Sequence, residues 1–188
     1  MIVFKSEVLS DDHRRDISEW IINMEHLSNF DGTSISEDTS RKAFAVTFKT
    51  EDLPERLEFL KDNKTNIYNI VGIVTYNSGD IPEHIDDDFV WYMKEIQVPE
   101  MYIKHPSTTC VYYAEIPQSM KGGETIFKCE NTITAPPEQN SMVEFSSNIP
   151  HSVTAMEAKD PRVVLVCEKY KLLRPALQHI TTPIYREG

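Results

Sequence analysis

At 188 residues, with 40% apolar and 26% charged side chains, the chain has the make-up of one ordinary globular domain, not of a disordered or repetitive protein. A net charge of −11 opposes binding to a phosphate backbone, where affinity rests on Lys and Arg, so no nucleic-acid partner is expected. Acidic residues precede any apolar run at the start, and no segment holds 18 uninterrupted apolar residues; we expect neither a signal peptide nor a membrane partner, and a cytoplasmic location.

Ser10-Asp11-Asp12 is a helix-start signal, and Ile17, Trp20, Ile21, Met24 and Leu27 recur at three- and four-residue steps, which predicts a helix from about 11 to 28. Phe44, Val46 and Phe48 alternate as in a half-buried strand. Leu53, Leu57 and Leu60 return to helical spacing behind Pro54, predicting a short second helix. From Asn66 the character changes, and the run from Ile67 to Tyr76 suits a pleated surface. Further strands are predicted at 89–98, 108–116, 124–128, 141–145, 151–156 and 162–170. Turn signals separate them at Asn77-Ser78-Gly79-Asp80, Lys121-Gly122-Gly123, Pro136-Pro137 and Lys159-Asp160-Pro161. The tail has no clear period and is open between a final strand, an arm over a neighbour and a loose end.

Many short, regularly punctuated strands point to a sandwich or jelly roll packed against amino-terminal helices. The expected organisation is a single domain over 1–188. Within it, residues 1–65 supply helical support and a first strand, 66–170 form a jelly-roll core expected to hold the chemistry, and 171–188 are a tail. Cys110, Cys129 and Cys167 are odd in number and lack Cys-x-x-Cys spacing, so neither a disulfide framework nor a zinc knuckle is expected.

Chemistry concentrates in His84-Ile85-Asp86, which is followed by His151 and, 11 residues later, by Arg162. In an extended segment His84 and Asp86 point to one side, so an imidazole and a carboxylate can grip one ion. A second imidazole from a distant strand, His151, completes two histidines and one carboxylate on one face of a metal, the set associated with non-haem Fe(II) oxygenases. Singly, each residue has a plainer explanation: a surface pair in an acidic loop, a turn histidine after Pro150, a strand-edge arginine. Their order and strand context together favour the metal. Asp80, Glu83, Asp86, Asp87 and Asp88 crowd the same stretch. Lining a cavity mouth they would favour a cationic or neutral substrate; otherwise they are a solvated loop.

The series Tyr76, His84, Asp86, Tyr113, Gly122-Gly123-Glu124-Thr125, His151 and Arg162 resembles the 2-oxoglutarate and Fe(II)-dependent dioxygenases, prolyl 4-hydroxylase-like branch, over about residues 68–170. The resemblance implies a double-stranded β-helix, a cupin-like jelly roll. It implies that His84, Asp86 and His151 are the Fe(II) ligands and that O2 and 2-oxoglutarate are cosubstrates. Arg162 stands where that family pairs the far carboxylate of 2-oxoglutarate, which suits a planar fork. Tyr113 matches a tyrosine on the same carboxylate, a place Tyr112 takes if the register slips by one, and Tyr76 matches one near the metal end. The two glycines match a tight turn with positive φ. Residues 87–106 are long for the family and suggest a substrate lid lined by Trp91, Tyr92 and His105. Related halogenases carry a small residue where Asp86 stands, so its presence implies hydroxylation or a related oxidation. The implied activity is hydroxylation of a C–H bond in a small molecule, such as a free amino acid or metabolite, with release of succinate and CO2. Alternatives are a prolyl-type hydroxylase of peptide or protein and a non-oxygenase cupin-like metal- or ligand-binding protein.

Overall fold

The computed structural model of the chain describes residues 1–24, 28–29 and 41–187. Strand β1 (Ile2–Lys5) leads into helix α1 (Asp11–Ile22), and β2 (Ser28–Asn29) and β3 (Arg41–Lys49) follow. Two 3-10 segments, Thr50–Asp52 and Glu55–Leu60, connect to the long β4 (Ile67–Ser78), which turns back into β5 (Ile81–His84). Helix α2 (Asp88–Glu95) precedes β6 (Thr108–Glu115), β7 (Lys121–Gly122), β8 (Thr125–Phe127) and β9 (Ile133–Ala135). Then come β10 (Ser141–Phe145), β11 (His151–Val153), the long β12 (Met156–Tyr170), α3 (Arg174–Leu177) and β13 (Ile184–Glu187).

All described pairings are antiparallel. The large sheet runs β1-β10-β6-β12-β4-β3-β13, with β2 on β3 and β7 on β12; the small sheet runs β5-β11-β8-β9. Val111, Tyr113, Val143 and Val164 of the large sheet pack with Phe127 of the small one, as in a jelly roll. The opposite face of the large sheet carries Phe44, Val46, Leu165 and Cys167 into a second core under α1 and the 3-10 segment.

Helix α1 starts as the sequence predicts, with the Ser10 side chain accepting the His13 N–H. It ends at Ile22 and not at 28, because Asn23 caps it, its Nδ2 donating to the Glu19 carbonyl at 2.8 Å. Met24 lies beyond the helix, and Leu27 lies outside the described residues. Ile17 and Ile21 are buried, and Arg14 reaches the Ala114 carbonyl and Glu115, tying the helix to β6. Leu53, Leu57 and Leu60 are buried, but no α-helix carries them: Leu57 and Leu60 project from a 3-10 segment and Leu53 from the extended residue that follows the first one.

Three other expectations are corrected. Strand β3 is buried on both faces: Phe44, Val46 and Phe48 meet the α1 core, while Ala43 and Ala45 face the other way with Val71. Residues 89–98 are not a strand. Asp87 and Asp88 open α2, and Phe89, Val90 and Met93, one helical face, bury against Tyr170, Leu172 and Ile180 while Trp91 stays exposed. Nor does Lys159-Asp160-Pro161 separate two strands. β12 runs through it, with its register against β4 shifting between Glu157 and Arg162, which is where a proline fits a sheet. The tail resolves into α3 and β13. Among the described residues no helix is long and apolar enough to cross a membrane.

Gly72 on β4 lies opposite Phe44 on β3, and the Phe44 ring, fully buried and edge-on to Trp20, covers the place a Gly72 Cβ would take. Gly72→Ala is therefore expected to destabilise the fold by about 1–3 kcal/mol, as overpacked cores do. Urea unfolding followed by tryptophan fluorescence checks this, and Gly72→Ala combined with Phe44→Leu should recover part of the loss.

Candidate active site

The turn after β4 sends β5 back beneath the large sheet, and β5 pairs with β11 so that His84 lies opposite His151. Asp86, two residues past His84, returns between them. Asp86 Oδ1 is 3.6 Å from His84 Nε2 and Asp86 Oδ2 is 3.6 Å from His151 Nε2. One donor atom from each of the three lies within 4.8 Å of the others. Both Nδ1 atoms face main-chain carbonyls, His84 that of Pro82 at 2.8 Å and His151 that of Ile149 at 3.2 Å. Each imidazole thereby gives its N–H away from the centre and turns a lone pair on Nε2 inward, as a metal ligand requires. Phe127 and Phe145 pack on the His151 ring and fix its plane.

The site's electrostatics suit a cation. In the metal-free chain burial pushes the Asp86 carboxyl up, but a protonated His84 beside it and the positive field of His151 more than offset this and hold it below its ordinary value. At His84 burial is outweighed in turn by Asp86, which raises it; a bound cation would displace that proton from Nε2. Burial pulls His151 down, favouring the neutral form that binds metal. Asp86 Oδ2 is buried without a hydrogen-bond partner. Such an orphan is costly in a finished structure, and a metal ion between these donors would satisfy it.

A cavity of about 340 Å³ opens from the three residues and runs along the inner face of β12, where Arg162, Val164, Val166 and Glu168 alternate into it. At one end lies Arg162, only 9% exposed, with its Nε buried and unpartnered. Its guanidinium stands 5.4 Å over the Tyr113 ring, and the Tyr113 hydroxyl meets Thr125 Oγ1 at 3.2 Å. Tyr113 thus faces this end, and Tyr112 faces the α1 side, donating to Asn140 Oδ1 at 2.9 Å. The glycine turn makes room: Gly122 and Gly123 have φ of 74° and 78°. A Cβ on Gly122 would overlap the Ala155 carbonyl, and one on Gly123 would crowd Arg162 Nη1 at 3.3 Å. A buried guanidinium with an unpartnered Nε beside an apolar cavity wall can take up an anion such as a carboxylate.

The structure brings His84, Asp86, His151 and Arg162 to one cavity, with Tyr113 behind its wall against Arg162 and Thr125. It leaves out Tyr76, 44% exposed on the opposite face of β4, because Thr75 is the β4 residue paired with Arg162 and lining the cavity. Trp91, Tyr92 and His105 do not line the cavity either, since α2 packs its inner face on Tyr170 instead. Two charged lining residues escaped the sequence: Arg41, buried and facing Arg162 across Thr75, and Glu168 at the metal-side end. The signal for Glu168 was parity, since it lies six residues past Arg162 on one strand.

The sequence matches no family model and no curated protein. Solved structures match the fold. A prolyl hydroxylase from Trichoplax adhaerens, in complex with a hypoxia inducible factor oxygen degradation domain peptide fragment, gives a TM-score of 0.61 at 15% identity over 90% of this chain and 83% of that one. A 2-oxoglutarate-Fe(II) oxygenase family oxidoreductase from Burkholderia pseudomallei gives 0.59 at 12% identity, over 90% and 84%. A prolyl-4-hydroxylase from Pseudomonas putida gives 0.59 at 11% identity, over 90% and 92%. The chain therefore has the jelly-roll fold of the 2-oxoglutarate oxygenases of prolyl-hydroxylase type, as its motif order implied.

Glu168 gives the site a pH signature. Burial, then the negative fields of Asp88 and Asp86, push its carboxyl up to about 8. The native state then holds a proton that the unfolded chain, with a glutamate near its ordinary 4.5, has released, so stability falls as pH rises between those values. Metal-free wild type is expected to lose more stability between pH 5.5 and 8.5 than Glu168→Gln does, read from urea midpoints; parallel profiles would contradict it.

Proposed function

We propose that the protein is an Fe(II)- and 2-oxoglutarate-dependent oxygenase in which His84, Asp86 and His151 hold the metal and Arg162 anchors the cosubstrate. One observation carries this: the same cavity holds both an orphaned carboxylate oxygen, Asp86 Oδ2, and an orphaned guanidinium nitrogen, Arg162 Nε. A cation between the first set of donors and a carboxylate on the second would satisfy both. Iron bound there would supply the redox chemistry that couples oxidative decarboxylation of 2-oxoglutarate, giving succinate and CO2, to insertion of one oxygen atom of O2 into a substrate C–H bond.

The chain's own residues do the rest. Arg162 offers a planar fork to the far carboxylate of 2-oxoglutarate, with the Tyr113 and Thr125 hydroxyls beside it. Val111, Val164 and Val166 wall the slot with apolar surface, which would exclude water and restrict how the cosubstrate lies in it. The two Nδ1–H groups, held by Pro82 and Ile149, keep both imidazoles in the ligating tautomer.

For the substrate we favour a small molecule such as a free amino acid or metabolite, suited to a cavity of about 340 Å³ whose metal-side end is lined by Asp87, Asp88 and Glu168. A prolyl-type hydroxylase of peptides is the second candidate, supported by the Trichoplax adhaerens neighbour, captured with a peptide fragment, and by Ile85, which lines the cavity yet is 42% exposed. The whole chain would act as one domain in the cytoplasm. Succinate release from metabolite and peptide pools separates the two.

Anaerobic addition of Fe(II) and then 2-oxoglutarate to metal-free protein is expected to give a visible charge-transfer band. Asp86→Ala should abolish it. Arg162→Ala should keep metal binding and raise the 2-oxoglutarate Kd about 10- to 100-fold, the loss of charge-assisted hydrogen bonds worth about 1.5–3 kcal/mol. No band from folded wild type would overturn the reading in favour of a cupin-like metal- or ligand-binding protein.

A further inference from the structure

Strand β13 places one arginine on the inner face of the large sheet. Arg186 lies opposite Ala45 of β3, and its Nη2 donates to Asn69 Oδ1 on β4 and, at 3.5 Å, to Thr47 Oγ1. Asn69 is fully buried and bonded on both ends: Oδ1 also accepts from Thr47 Oγ1 at 2.9 Å, and Nδ2 donates to Glu168 Oε2 at 3.0 Å. Glu168 Oε2 also bonds the Tyr170 hydroxyl, which donates to the carboxylate and can accept from the protonated acid, while its Oε1 accepts the Asp88 N–H at 3.2 Å. Asp88 opens α2 and is two residues from Asp86. The guanidinium also stands 5.8 Å over Phe89 and 5.4 Å over Tyr92, both on α2.

Two routes therefore lead from Arg186 to the segment that carries Asp86, one through hydrogen bonds and one through ring contacts. We infer that Arg186 is a positioning residue for the metal centre: through Asn69 and Glu168 it fixes the start of α2, and with it the direction of the Asp86 carboxylate. The inference rests on His84, Asp86 and His151 being metal ligands. Its logic is that of the outer shell of a metal site, where groups behind the ligands set their orientation. Asp86 needs such support, because its segment leaves β5 and enters α2 with no strand pairing of its own. The Asn69 amide cannot be turned over without losing partners at both ends, so the order of donors along the chain is set. Glu168→Gln breaks the line at its far end, because an amide NH2 would face either the Asn69 NH2 or the Asp88 N–H. Arg186→Met breaks it at the near end while keeping an apolar stem on Phe89 and Tyr92.

The test uses the full chain and Co(II) as a spectroscopic probe, with thermal unfolding to confirm that each variant is folded. Arg186→Met and Glu168→Gln are each expected to weaken Co(II) binding about ten-fold or more, as outer-shell changes do. The double variant should be little worse than either alone, because both cut one line. Arg186→Lys, which keeps a donor, should recover part of the affinity. Hydrogen exchange of the Asp88 amide provides a readout independent of metal and should accelerate in both single variants, with the β4–β12 ladder unchanged. Unchanged Co(II) affinity and Asp88 protection in Arg186→Met, or losses that simply add, would overturn the inference and leave the metal site standing. Absence of Co(II) binding by wild type would instead remove the proposed function, and the Asp88 amide would then decide whether the relay exists.

Discussion

The register of β12 between β4 and β6 is the constraint on which the molecule turns. From Val164 to Lys169 this strand is paired on both sides, so its side chains alternate between two interiors with no freedom to slip. Arg162, Val164, Val166 and Glu168 enter the cavity, while Val163, Leu165 and Cys167 enter the core under α1. A shift of one residue would exchange these sets, burying an arginine and a glutamate among leucines and phenylalanines. The cost of that exchange selects the native pairing, so the force that builds the core also aims the polar groups of the site.

Polar burial, in turn, divides the cavity into unlike ends. Arg162 and Arg41 stand at one, Asp86, Asp88 and Glu168 at the other, with valines between. Neither end is at rest: a guanidinium nitrogen and a carboxylate oxygen lack partners, and Glu168 is held well above a glutamate's ordinary range. Groups in this condition reduce the stability of the empty protein and sharpen its response to the ions it would bind.

Much of this was legible in the sequence, for identifiable reasons. His84, Asp86, His151 and Arg162 could be read because their chemistry is rare, their order is ordered by strands, and alternation sends His84 and Asp86 to one side. Alternation also explains Tyr76: its neighbour Thr75 has the parity of the cavity, and no residue preference reveals parity until the pairing with β12 is known. The α2 segment was read as a strand since Phe89, Val90, Trp91 and Tyr92 are strand-favouring types; tertiary packing against Tyr170 and Leu172 overrode that preference. Pro161 looked like a turn, yet a bulge in β12 absorbs it. Arg186 gave no signal at all, for its contacts come from residues more than 90 positions earlier, except those with Glu168 and Tyr170.

Both edges of the large sheet, as described, are formed by four-residue strands, β1 against β10 and β13 against β3. β3 is the longer of the two strands they cover, with nine residues, and its outer main-chain N–H and C=O groups are those most suited to recruit a foreign strand. β13 is thus a guard as well as a brace. A molecule whose last strand has come loose would offer β3 to the next molecule, and self-association in the sheet plane would be the visible sign that the terminal strand had let go.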